Sequence, residues 1–98
     1  MSIAIRNGFK SFLKLEKSLS KNSIDGYLRD LDKLYQFSAL LKDSKSPQDL
    51  KLNDLQKFLH WISDLGMSSK SQARIVSGIK GFYKYLLIEE YIKSDPSK

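Results

Sequence analysis

The sequence predicts an all-α domain, and two observations support that fold class. Apolar residues recur at every third or fourth position along four segments, which is the spacing that gives a helix one buried face. Alternation of apolar and polar residues, the pattern typical of a strand, does not extend over a useful length. The chain has 98 residues, of which 41% are hydrophobic and 29% charged, so it is long enough for one globular domain with one modest core.

The first two helices are predicted in the amino-terminal half of the chain. The first runs from about Ile3 to Ser18, and its apolar face consists of Ile5, Phe9, Phe12 and Leu13. The second runs from Lys21 to about Leu41. Ser20 precedes it as the N-cap, because a serine hydroxyl can accept a hydrogen bond from a free backbone N–H of the first turn.

The other two helices follow a polar connection. The third is predicted from Asp54 to Leu65, with Asn53 as its N-cap and Gly66 at the position where a helix end favours a left-handed residue. The fourth begins after Ser68 and ends near Glu89. Trp61, on the third helix, is predicted to belong to the core or to cover it.

The outward face of the fourth helix carries only positive charge. From Met67 to Ile88 the sequence contains no Asp or Glu, whereas most solvated helix faces mix the two signs. Small residues, Ser77, Gly78 and Gly81, lie among the cations and would let a partner approach the helix backbone. Cations with small neighbours favour a polyanion, and the commonest large polyanion is nucleic acid.

The second and fourth helices begin with the same chemistry. Each has a serine N-cap, Ser20 or Ser68, then a lysine within two residues and no acidic residue in the first turn. Free N–H groups, the positive end of the helix dipole and a nearby cation together can bind a phosphate. The alternative is that each serine is an ordinary cap on a core helix.

Composition limits the remaining functions. The chain has no cysteine and one histidine, which excludes disulfides and thiolate metal sites, and we expect no metal and no cofactor. No apolar run is long enough to span a membrane or to serve as a secretory signal, so we expect a cytoplasmic protein that does not bind membranes. The net charge of +6 is concentrated in the fourth helix and in an amino-terminal block of Lys10, Lys14, Lys17 and Lys21.

No catalytic set of residues can be assembled from the sequence. Asp25 and Asp32 share a helix face with Arg29 between them, a pattern typical of solvated ion pairs, and Asp30 is grouped with them. His60 has no partner that would make it a nucleophile's base. The sequence therefore does not favour an independent enzyme.

Two motifs resemble those of the N-terminal core-binding domain of the tyrosine recombinases, the Xer and phage-integrase type. The second helix resembles L-S-x-x-[ST]-x-x-x-Y-x-x-D-L, here Leu19, Ser20, Ser23, Tyr27, Asp30 and Leu31. The fourth resembles [ST]-x-x-R-x-x-S-x-I-[KR]-x-F-Y-x-Y-L, here Ser71, Arg74, Ser77, Ile79, Lys80, Phe82, Tyr83, Tyr85 and Leu86. The resemblance covers essentially the whole chain and implies a four-helix, SAM-like domain of two crossed helical hairpins.

In that family the domain clamps one face of duplex DNA through its second and fourth helices. Together with the acid-free face, the resemblance gives these predicted DNA contacts: Lys21, Asn22, Ser23, Ser69, Lys70, Ser71, Gln72, Arg74, Ser77, Lys80 and Lys84. Lys80 stands where the family often has arginine, which favours a phosphate contact over recognition of a guanine. We expect Lys70 and Arg74 to be replaceable by alanine with loss of DNA binding but without unfolding.

The resemblance also implies that DNA binding and catalysis belong to separate domains. We expect residues 1–93 to form the DNA-binding domain and residues 94–98 to begin a linker to a catalytic domain that this chain lacks, so that the chain itself does not cleave DNA. The partners implied are double-stranded DNA and further recombinase protomers, with the isolated domain a monomer. The alternatives are a helical protein-interaction module that uses the basic face and, less favoured, a membrane-surface module.

Overall fold

The structure, a computed structural model, describes residues 3–41 and 46–97. It contains four α-helices, and a short 3-10 turn at Pro47–Asp49 precedes the third of them. The helices are α1 (Ile3–Leu15), α2 (Lys21–Leu40), α3 (Leu52–Asp64) and α4 (Ser69–Ile88). Neither described range contains a strand. The predicted all-α fold class is confirmed.

The core is formed mainly by α2 and α4, whose mutual contact is the largest between any two helices. Helix α1 packs on both of them, and its Phe9 ring meets Phe82 of α4 edge-on at 5.3 Å between centroids. At the other end of the core, the rings of Phe37, Phe58 and Trp61 pack against one another. Trp61 is half-buried there, in agreement with its predicted place against the core.

Tyr83 connects the core to the 3-10 turn. Its side chain is fully buried, and its hydroxyl donates a hydrogen bond of 2.7 Å to the carbonyl oxygen of Pro47. Burial raises the pKa of Tyr83, because the phenolate would lose its hydration. The buried hydroxyl therefore has its hydrogen-bond partner and remains protonated at neutral pH.

Three of the predicted helix ends have the expected geometry. The Ser20 hydroxyl accepts a hydrogen bond from the Ser23 N–H at 3.3 Å, and the Ser68 hydroxyl accepts one from the Ser71 N–H at 3.2 Å. Gly66 is left-handed, with φ of 83°, and ends α3. Both serine caps and the glycine were therefore placed correctly from the sequence.

The beginning of α3 differs from the prediction. The helix begins at Leu52 rather than Asp54, and Asn53 lies inside it instead of capping it. The Asp54 carboxylate accepts a hydrogen bond of 3.0 Å from the Lys51 N–H, so the acidic residue at the third helical position caps from within the helix. The sequence-based boundary was two residues late because it assigned the cap to the asparagine.

Helix α1 is three residues shorter than predicted. It ends at Leu15, and Ser18 adopts a left-handed conformation with φ of 52°. That conformation reverses the chain, and the Leu19 N–H then donates to the Leu13 carbonyl at 3.3 Å. The turn places Lys17 and Leu19 beside the α2–α4 pair.

Candidate nucleic-acid interface

The first turn of α2 presents three predicted DNA contacts together. Lys21, Asn22 and Ser23 are all exposed, and no acidic residue occurs in this turn. The serine cap leaves the other backbone N–H groups of the first turn directed out of the helix end. This arrangement can accept an anion.

The first turn of α4 has a similar composition but a different role for one predicted contact. Ser69 and Lys70 are exposed, and Ser71 is half-buried beneath the cap. Gln72 is also half-buried, and its side-chain amide donates a hydrogen bond of 2.8 Å to the Met67 carbonyl. Gln72 therefore stabilises the turn before α4, and its contact with DNA stays a prediction.

Farther along α4, three predicted contacts share the outward face. Ser77, Lys80 and Lys84 are exposed and follow one another at helical spacing. From Lys70 to Lys84 the face extends about 21 Å along the helix, at roughly 1.5 Å per residue. We call this side of the helix the basic face of α4 and define it by Lys70, Ser77, Lys80 and Lys84.

Arg74 lies on this helix but is bound to Asp30 of α2. The guanidinium donates two hydrogen bonds of 2.9 Å, from Nε and one terminal nitrogen, to the two carboxylate oxygens. The Asp30 side chain is only 2% exposed, whereas that of Arg74 is 47% exposed. The hydrogen bonds to Asp30 raise the pKa of Arg74, so the guanidinium stays charged at neutral pH.

The pair corrects the expectation for Asp30, whereas the expectation that Lys70 and Arg74 can be replaced without unfolding stays a prediction. Asp30 is a buried anchor rather than part of a solvated ion-pair face, and replacing Arg74 would leave its carboxylate buried without this partner. The sequence did contain a signal for Asp30, since it follows Tyr27 by three residues and precedes Leu34 by four, which places it on the apolar side of α2. A DNA contact by the exposed part of Arg74 stays a prediction.

A second interhelical ion pair joins Arg6 of α1 to Asp32 of α2. Two hydrogen bonds of 3.2 Å connect the groups, which are both partly exposed. The hydrogen bonds to Asp32 raise the pKa of Arg6. The sequence analysis did not predict this contact, because residues 26 positions apart give no local pattern.

The two glycines of the basic helix have different roles. Gly78 is buried, and a Cβ built there would lie 2.6 Å from Cδ1 of Tyr27, so the missing side chain lets α2 and α4 approach each other. Gly81 has no neighbouring heavy atom within 4 Å of a built Cβ. Only Gly81 therefore leaves the α4 backbone open to a ligand.

The contacts between α2 and α4 run antiparallel. Tyr27 meets Gly78, and three residues later along α2 Asp30 meets Arg74, four residues earlier along α4. The beginning of α2 therefore lies toward the Lys84 end of the basic face, and the beginning of α4 lies toward the opposite end. The predicted contacts form two groups rather than one cluster.

The structure also brings Lys17 to this surface. It lines an open cleft of about 330 Å³ together with residues of α2 and α4, among them Lys80 and Lys84. In the sequence, Lys17 belongs to the amino-terminal basic block but not to the predicted DNA contacts. Only the packing of three helices shows that it lies near the basic face.

Other kinds of site find no support in the part of the chain that is described. No group of three or more potential metal ligands occurs within residues 3–41 and 46–97. His60 is exposed on α3. In the same residues, no helix combines the length and the apolar character required to cross a membrane.

The fold and the surface define a small helical domain with a basic face on one helix. Residues 7–90 match the family described as "Phage integrase, N-terminal SAM-like domain". Because the match covers most of the chain, this protein belongs to that family. The resemblance inferred from the two motifs is confirmed.

Three similar proteins are bacterial tyrosine recombinases. Tyrosine recombinase XerD of Staphylococcus saprophyticus is 38% identical over 89 residues, which are 91% of this chain and 30% of that protein. XerD of Haemophilus ducreyi is 39% identical over 89 residues, and XerD of Oceanobacillus iheyensis is 30% identical over 89 residues. In both cases 91% of this chain is covered, with 29% and 30% of the relative, respectively.

The chain therefore spans less than a third of the length of these relatives and matches their N-terminal portion. No solved structure matches the chain.

Proposed function

We propose that this chain is the DNA-binding domain of a site-specific tyrosine recombinase, and that the basic face of α4 and the first turn of α2 contact one side of duplex DNA. The observation that carries the proposal is the basic face itself. Its cations are exposed, and the sequence from Met67 to Ile88, which includes the whole helix, contains no acidic residue. Membership in the family and the similarity to tyrosine recombinases support the same function.

The dimensions of the basic face suit a duplex. Its length of about 21 Å, at 1.5 Å per residue, exceeds the width of the DNA major groove, which is about 12 Å. A helix in or across that groove could therefore place Lys70 and Lys84 near phosphates on both of its sides. Lysine is a point charge without fixed bidentate geometry, so these contacts would bind the backbone more than they read sequence.

Strand cleavage is not part of the proposed function. In the resemblance that the motifs define, the catalytic residues belong to a separate C-terminal domain, and none of the five tyrosines of this chain inherits the role of nucleophile. Within the whole recombinase, the domain would hold DNA while other protomers assemble on the same site.

A pair of charge-matched triple variants tests the proposal. The first replaces Lys70, Lys80 and Lys84 with glutamine, and the second replaces Lys51, Lys57 and Lys93, which are exposed lysines outside the basic face. Fluorescence anisotropy with a labelled duplex of about 30 base pairs measures the affinity. We expect the first triple to bind at least about tenfold more weakly than the second, because only it removes phosphate contacts.

Because the two triples lose the same net charge, a general electrostatic effect would weaken both equally, and that result would contradict the proposal. Circular dichroism confirms that both remain folded. An acidic peptide serves as the competing ligand. If it binds more tightly than the duplex and depends on the same lysines, the surface belongs to a protein partner instead.

A further inference from the structure

An open cleft lies where the turn after α1 meets α2 and α4. It has a volume of about 330 Å³. The residues that bear on its chemistry are Lys17, Tyr27, Ser77, Lys80, Gly81 and Lys84. The left-handed Ser18 follows Lys17 and reverses the chain at this edge of the cleft.

The charge on the walls of this cleft is entirely positive. Three lysines line it, and none of the residues that line it is acidic. All three are exposed, and no ion pair within residues 3–41 and 46–97 involves any of them. Because the lysines stand around one space with no carboxylate among them, an anion that entered it would experience attraction from several sides.

The side of the cleft formed by α4 lacks a side chain at Gly81. Ser77, Gly81 and Lys84 follow one another at helical spacing, and the Gly81 position has open space where a side chain would be. An anion can therefore approach the helix backbone between the lysines, with the Ser77 hydroxyl as a hydrogen-bond donor. Tyr27, which packs on Gly78, also lines the cleft.

A second cleft on the other side of the same lysines is less suited to an anion. Lys80 and Lys84 also line a space of about 540 Å³ that includes Asp95. The carboxylate of Asp95 would repel an anion there. The two lysines therefore have one acid-free side, and that side contains Lys17.

From these observations we infer that the cleft of Lys17, Lys80 and Lys84 binds a backbone phosphodiester of the DNA, with Lys17 as a ligand that lies outside α2 and α4. This inference rests on the proposed function and makes it more specific, because it assigns a third element, the turn after α1, to the DNA surface. A phosphodiester fits the chemistry, since it offers anionic oxygens to lysines and a sugar to Tyr27.

A lysine replacement with a matched control tests the inference. Lys17→Gln removes the cation from the cleft, whereas Lys14→Gln removes an exposed cation from the last turn of α1 that does not line it. We expect Lys17→Gln to weaken binding of the 30-base-pair duplex about three- to tenfold and to reduce the salt slope by about 0.9, the effect of one lost phosphate contact. Lys14→Gln should change the affinity less than about twofold, because it removes a charge but no phosphate contact.

Equal binding by the two variants would overturn the inference. It would leave the proposed function intact if the triple replacement of Lys70, Lys80 and Lys84 still weakened binding, so the two failures can be distinguished. Thermal unfolding followed by circular dichroism confirms that both single variants are folded.

The phosphate group bound in the cleft could belong to DNA or to a free phosphate compound. Binding of inorganic pyrophosphate, measured beside binding of the duplex, distinguishes the two. Whether or not pyrophosphate enters the cleft, we expect Lys17→Gln to weaken binding of the duplex itself, because the cleft then supplies one of the backbone contacts. Saturable pyrophosphate binding that is lost in Lys17→Gln, with unchanged duplex binding, would assign the cleft to a free phosphate compound and overturn the inference.

Discussion

The bidentate ion pair with Asp30 gives Arg74 a structural role, although Arg74 lies on the helix that carries the basic face. Each partner comes from a different helix, and the two are 44 residues apart in the sequence. The carboxylate is buried while the guanidinium reaches solvent, so the hydrogen bonds mainly offset the cost of burying Asp30. The pair fixes the position of α2 relative to α4, the two helices that carry the predicted DNA contacts.

We predict that Arg74→Ala destabilises the domain by about 2–4 kcal/mol, because it leaves a buried carboxylate without its charged partner. Urea denaturation followed by circular dichroism measures the change. The control is Lys70→Ala, an exposed residue of the same helix, which should change the stability by less than about 0.5 kcal/mol. Similar stabilities for the two variants would show that Arg74 has no structural role.

The double replacement Asp30→Asn with Arg74→Ala provides a second check. The double replacement exchanges the buried carboxylate of Asp30 for a neutral amide. The double variant should therefore be more stable than Arg74→Ala alone. A double variant less stable than the single one would contradict the account of the pair.

The exposure of a side chain could be predicted from the sequence where it depends only on the position of the residue around its helix. Lys70, Ser77, Lys80 and Lys84 are exposed as the wheel of α4 requires. The partner of Arg74 could not be predicted in the same way, because a wheel shows which direction a side chain takes but not which helix it meets. The apolar position of Asp30 was a signal that the sequence analysis did not use.

Helix ends depend on local chemistry, and the ends of α3 and α4 show this most clearly. At the end of α3 the Gly66 and Met67 N–H groups donate to the Ser63 and Ile62 carbonyls, at 3.0 and 3.5 Å. The end of α4 has the same pattern. There the left-handed position is Glu90, with φ of 61°, and the Tyr91 N–H donates to the Leu86 carbonyl at 2.9 Å. Glutamate has a Cβ that disfavours this conformation, whereas glycine has none.

We predict that Glu90→Gly stabilises the domain by about 0.5–1 kcal/mol, because glycine relieves the left-handed strain at this helix end. The melting temperature should rise by roughly 2–8 °C for a domain of this size. Thermal unfolding followed by circular dichroism measures it.

The matched control is Glu89→Gly, one residue earlier, where φ is −84° and no strain exists. This replacement should lower the stability, since glycine only adds freedom to the unfolded chain. Two variants that both destabilise would contradict the assignment of strain to Glu90.

The helices themselves were predictable because their apolar spacing and their serine or glycine ends are local features. The starting residue of α3 was not, since Asn53 and Asp54 both can cap and only the structure shows which one does. The early end of α1 depends on the left-handed Ser18, and serine gives no strong local signal for that conformation.

The arrangement of the whole molecule turns two charge blocks of the sequence into one surface. The amino-terminal block contributes Lys17 and Lys21, and the antiparallel packing of α2 on α4 brings this region toward Lys84. The sequence shows that both blocks are basic, but their proximity and the cleft between them are properties of the packing. The predicted boundary between the domain and a linker at residues 93 and 94 stays a prediction.

The most direct test of the central claim, that this chain binds DNA through its basic surface, is the salt dependence of duplex binding. Anisotropy titrations at several salt concentrations between 50 and 200 mM would give log K against log salt. If four to six phosphates are contacted, the slope should be roughly −4 to −5. A folded domain that does not bind at 50 mM salt, or whose affinity does not change with salt, would contradict the claim.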